Sequence, residues 1–158
     1  NREHTESFAS YNEMITAHEL MLFSSDDIDS YVEELKDALE EYKALCDDDT
    51  TYNASLRLTL INLFDQYTSL FKKIPAFDRV LIALQSIAVI IQYKEIKQIP
   101  EHINKNLIIH LNELNEIIYK WVNSVVIKEE AKDVHYADHD IMNICMLIEK
   151  DLKNKGHL

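Results

Sequence analysis

Gly156, Pro75 and Pro100 are the only glycine and the only two prolines among 158 residues. Tight hairpins, glycine-rich phosphate loops and nucleophile elbows all need backbone free to take positive φ, and the single glycine sits at the far C-terminal end. Long helices with few interruptions remain, and the apolar residues recur at steps of three and four. With 47% hydrophobic residues the chain can bury a substantial core. The expected fold is all-α: one antiparallel bundle of five or six helices over residues 1–158, packed around a buried central helix. Asn1 is followed by no apolar leader, so the expectation is a piece of a longer chain with no membrane-inserting segment.

The first helix is predicted over Thr5 to Phe23, with Phe8, Tyr11, Ile15, His18 and Leu22 on one face. A break from Ser24 to Ile28 offers Ser or Asp as N-cap. The second helix runs to about Cys46 on the stripe Ile28, Tyr31, Leu35, Leu39, Tyr42 and Cys46. After Asp47 to Thr51, the third spans about Tyr52 to Lys73 with Leu56, Leu60, Leu63, Tyr67 and Leu70 inward. Pro75 is placed in the first turn of the central helix, whose core Arg79 to Tyr93 (RVLIALQSIAVIIQY) is apolar almost all round and continues through Lys94 and Lys97. Its apolar part is too short to span a bilayer, so it is expected to be buried in protein. Pro100 opens a fifth helix carrying Ile103, Leu107, Leu111, Leu114, Ile118, Trp121 and Val125. The last covers His135 to Lys153, with Ile141, Ile144, Cys145, Ile148 and Leu152 inward and Gly156 as its C-terminal cap. Cys46 and Cys145 are expected as free thiols on or beside these stripes.

Net charge is −12, and residues 1–50 carry all of it, with 15 Asp/Glu against 3 Lys/Arg. Such a surface repels phosphate backbones and anionic lipids, so neither nucleic acid nor membrane is an expected partner. A basic protein could dock on the acidic face of Glu33, Glu34, Asp37, Glu40 and Glu41; a plain solvated face is the simpler reading.

The strongest metal candidate is His135, Asp138 and His139 in HYADHD, where helical spacing would put two imidazoles and a carboxylate on one face. A fourth ligand would have to come from elsewhere, such as His18 or His110, and no Glu-x-x-His pair is present. Asp47, Asp48 and Asp49 lack the alternating ligands and glycine of a calcium loop. Neither cysteine has an adjacent base, and the serines lack a glycine elbow, so catalysis is not expected.

His18-Glu19-Leu20 resembles the His-Glu-Leu core of the phosphoaccepting helix in sensor histidine kinases, but Met21, Leu22 and Phe23 replace the residues that should follow. A histidine hydrogen-bonded within the bundle is therefore expected. Val134-His135-Tyr136-Ala137-Asp138, then Ile148-Glu149, with Phe77-Asp78 earlier, resembles the all-helical domains that accompany receiver domains in bacterial two-component proteins. The resemblance covers about a dozen residues, assigns none a catalytic role, and lacks the Asp-x-x-x-Gln pattern of one receiver phosphatase family. It implies a cytoplasmic, non-catalytic interaction or output module. Its partner would be a receiver or other signalling domain, or a second copy of the chain. The alternative is a bundle that binds a divalent metal or small ligand, with His135, Asp138 and His139 as the site; otherwise no cofactor is expected.

Overall fold

The computed structural model describes residues 14–24, 26–47, 49–93 and 99–153, and among them the secondary structure is helical with no strand. The described residues form six α-helices: α1 (Ala17–Leu22), α2 (Ile28–Leu45), α3 (Ala54–Lys73), α4 (Asp78–Tyr93), α5 (Glu101–Trp121) and α6 (Asp138–Lys153). A π-helical segment, Val122–Ile127, continues α5. Neighbours in the bundle run α2, α3, α4, α6, α5, and α1 packs on the π-helical segment. No helix among the described residues is long and apolar enough to cross a membrane.

Side-chain caps set the starts of α1 and α3. Thr16 caps α1 reciprocally: its hydroxyl accepts from the Glu19 N–H at 3.1 Å while the Glu19 carboxylate accepts from the Thr16 N–H at 3.0 Å. That bond and its partner from the Thr16 hydroxyl hold the Glu19 carboxyl below its usual range. The cap also shortens the predicted first helix, since Thr16 is extended and the helix begins only at Ala17. Phe8 and Tyr11 lie outside the described residues. Starting there, α1 buries Ala17 and Leu20 and turns His18 outward, 73% exposed and 3.5 Å from Glu129, so the expected inward histidine is corrected. Asn53 caps α3 through the Leu56 N–H at 2.8 Å.

Pro75 is not in the first turn of α4. It lies in the turn between α3 and α4, where Ala76 takes φ 72°, and Glu129 takes φ 51° beyond the π-helical segment. Two ordinary residues thus hold left-handed conformations that glycine would adopt without the roughly 1 kcal/mol steric cost. Pro100 stands one place before α5 as its N-cap. The predicted continuation of α4 through Lys94 and Lys97, and the cap at Gly156, fall outside the described residues.

The core stripes of α3 and α5 match the sequence pattern closely. Leu56, Leu60, Leu63, Tyr67 and Leu70 are buried on α3, as are Leu107, Leu111, Leu114, Ile118 and Trp121 on α5. Along α2 the stripe shifts toward Val32 and Ala38, leaving Tyr31 half-buried beneath the Lys73 ammonium at 5.3 Å. Asn104 is buried in α5, where its side chain accepts from the Tyr52 N–H at 2.6 Å and donates to the Thr50 carbonyl at 2.9 Å. It pins the chain entering α3.

The largest departure is α4. Val80, Leu84, Ile87 and Ile91 are fully buried, but Ile82 is 64% and Val89 56% exposed. All-round burial is therefore corrected: α4 packs against α3 and α6 and leaves a third side open. The two sides separate by mutation. Ile87→Asp should cost about 4 kcal/mol or more by placing an unpaired charge in the core, whereas Ile82→Asp should change stability by no more than about 0.5–1 kcal/mol. Urea unfolding of both variants checks this.

Candidate functional site

The HYADHD segment is assembled by Trp121. The indole Nε1 donates to the Val134 carbonyl at 2.8 Å, and the Val134 N–H donates to the Ile15 carbonyl at 2.8 Å. The Ala17 N–H reaches Ala131 at 2.9 Å, so the residues before α1 and the loop before α6 are stitched side by side. In the turn that follows, the His135 N–H donates to Asp133 at 3.0 Å, and Nδ1 of His135 meets Oδ2 of Asp138 at 2.6 Å. The His135 ring lies 4.6 Å from that of Phe77. Asp138 keeps its other oxygen, Oδ1, buried with no hydrogen-bond partner.

His135 and Asp138 are therefore brought together, but His139 is not. The reason is the position of the helix start: α6 begins at Asp138, so His135 sits in the preceding turn and the helical spacing assumed for the three residues does not hold. His139 is exposed, with Nε2 facing the Asn143 amide at 3.1 Å. His18 pairs with Glu129, and His110 with Asp151 at 2.6 Å. Among the described residues no group of three or more His, Cys, Asp or Glu is arranged to hold a metal ion.

Other polar contacts join the helices. Ser86 donates to Glu149 at 2.8 Å, linking α4 to α6, and Glu149 also receives Lys153 at 2.8 Å. The Lys153 and Ser86 hydrogen bonds hold the Glu149 carboxyl below its usual range. Cys46 and Cys145 are free thiols, and burial pushes the Cys145 pKa up to about 12. No serine, threonine or cysteine is hydrogen-bonded to the His135 or His110 imidazole among the described residues.

Large apolar side chains are exposed at several places, among them Phe23, Leu58 and Met146, and three more share the open side of α4. Ile82, Val89 and the 78%-exposed Tyr93 follow at steps of seven and four, on one helical face. From Val80 to Tyr93 there is no charged side chain. Sequence reasoning took this helix as wholly inward and missed the face, although a signal was present: Gln85 and Gln92, seven residues apart, fall toward the same side as Ile82 and Val89. Polar residues at helical spacing marked the side that meets water.

Compared with known protein families, curated proteins and solved structures, the chain matches none.

Burial is the leading cause that raises the Asp138 pKa, partly opposed by the His135 hydrogen bond and charge. A carboxyl that holds its proton more tightly when folded favours folding at pH below its unfolded pKa, and that contribution is lost as pH rises through the folded value. The stability of the wild type relative to Asp138→Asn should therefore fall as pH is raised from 3.5 toward 7. Urea unfolding across that range tests it, and a flat difference would mean the carboxyl is not perturbed.

Proposed function

We propose that this chain is a non-catalytic interaction module of a signalling protein, acting by protein–protein contact through the open face of α4. The observation that carries the reading is the exposure of Ile82, Val89 and Tyr93 on a helix with no charge between Val80 and Tyr93. Large apolar side chains exposed together on one side of a folded helix favour a partner that covers them, and helix-on-helix packing is the simplest cover. The similarity of the His135 segment and Phe77-Asp78 to helical domains accompanying receivers supports a receiver or other signalling domain as that partner. A second copy of the chain would meet the same apolar requirement. The acidic side chains Glu33, Glu34, Asp37, Glu40 and Glu41 are all exposed on α2 and would speed encounter with a basic partner without contributing much to its final affinity.

A photo-crosslinking residue in place of Tyr93 tests the proposal in cells. Crosslinks to a protein partner should form and disappear when Ile82→Lys and Val89→Lys are added, while circular dichroism shows the bundle intact. Mass in solution separates a second copy from a different partner. Crosslinks that persist unchanged with both lysines present would move the contact elsewhere.

A second reading, a divalent ion at His135 and Asp138, is favoured by the buried, unpartnered Oδ1 of Asp138. These side chains supply only two protein ligands, so water or a further residue would have to complete the shell. The interaction reading expects no stoichiometric zinc or iron in dialysed, untagged protein. Metal retained one to one by elemental analysis, and lost in His135→Ala, would transfer the assignment.

A further inference from the structure

Helices α2 and α5 face each other without the close backbone packing of the other neighbouring pairs, and a groove of about 780 Å³ lies between them. That volume is within the roughly 300–1,000 Å³ of small-molecule sites. Leu39 on one side and Ile109 and Tyr119 on the other supply apolar wall. Two side-chain contacts span the gap: the Tyr42 hydroxyl donates to Oδ1 of Asn112 at 2.9 Å, and the Lys43 ammonium lies 5.6 Å from the centre of the Tyr119 ring. These bridges divide the groove, so a docking helix could not lie along it without breaking them. A compact molecule could sit beside them.

Asn115 lines the same groove and is only 6% exposed. The Tyr67 hydroxyl donates to its Oδ1, which leaves the amide nitrogen Nδ2 buried with no acceptor. A buried donor that the fold does not satisfy calls for an acceptor brought from outside. The charges around the groove balance, Lys43 and Lys120 against Glu113 and Glu116, and Lys120 is 3.8 Å from Glu116. With a chain net charge of −12, nothing there attracts an anion.

We infer that the α2/α5 groove binds an uncharged, mainly apolar small molecule that presents one carbonyl-type acceptor to the Asn115 amide. The site is separate from the open face of α4 and does not depend on that face's role.

The naphthyl ketone prodan is a suitable probe, being uncharged, apolar, carbonyl-bearing and fluorescent in proportion to its shielding from water. Titrated into the whole chain it should bind saturably at one site. Ile109→Lys, at a 55%-exposed wall position, should weaken binding at least tenfold, while Ile82→Lys on α4 should leave it unchanged. Tyr119→Ser provides a second wall variant if the first fails to fold. The carbonyl-free analogue 2-dimethylaminonaphthalene should bind at least tenfold more weakly than prodan. Non-saturable binding, equal binding of the analogue, loss only in Ile82→Lys, or tighter binding of decanoate than of prodan would each overturn the assignment.

Discussion

The hydrogen bond from the Trp121 indole to the Val134 carbonyl fixes the point where the ends of several elements meet. Trp121 is fully buried, and its ring lies 5.0 Å from Phe71 at the end of α3 and 5.2 Å from Phe77 at the start of α4. Phe77 in turn meets His135. One side chain therefore joins the end of α5, the α3–α4 turn and the loop leading into α6. Val134, once held, binds Ile15 and brings α1 onto the π-helical segment. Helix ends carry unpaired backbone groups that must find partners, and here a single aromatic cluster organises those partners at one end of the bundle.

The π-helical segment belongs to the same arrangement. Its wider turn is seen in the Lys128 N–H donating to Asn123, five residues back. Past Glu129, the N–H groups of Glu130 and Ala131 both reach the Ser124 carbonyl, which gives two donors of the chain leaving α5 a partner. The same loop then presents His135 to Asp138 on a turn rather than on a helix. The apolar exposure of α4 and the divided groove between α2 and α5, whose α5 wall runs past Trp121 to Asn123, are surface features of the same bundle. Both are surfaces where the bundle leaves a requirement unmet: apolar area in one case, a buried amide donor in the other.

The core of α3 and α5 was legible residue by residue because leucine and isoleucine recur there at helical spacing and little else competes for those positions. The candidate site was less legible. Spacing alone put His135, Asp138 and His139 on one face, but the helix begins at Asp138, and a shift of three residues in the start rotates His139 away. His18 failed in the same way, because the Thr16 cap sets where α1 starts. Both errors are errors of helix start, which depends on which backbone N–H groups find side-chain or loop partners.

From the amino-acid sequence alone follow the all-helical architecture, the inward faces of the long helices, and the concentration of acid in the first third, because these depend on periodicity and composition that each segment carries by itself. Tertiary structure decided which side of α4 stays open, whether Pro75 enters a helix or a turn, that Tyr42 and Asn112 bridge α2 and α5, and that Asn115 keeps an unpaired amide between them. The physical reason is that a helix rich in apolar residues on every side has no internal preference for the face it buries. Only the number and placement of its neighbours, here α3 and α6 among the described residues, select it.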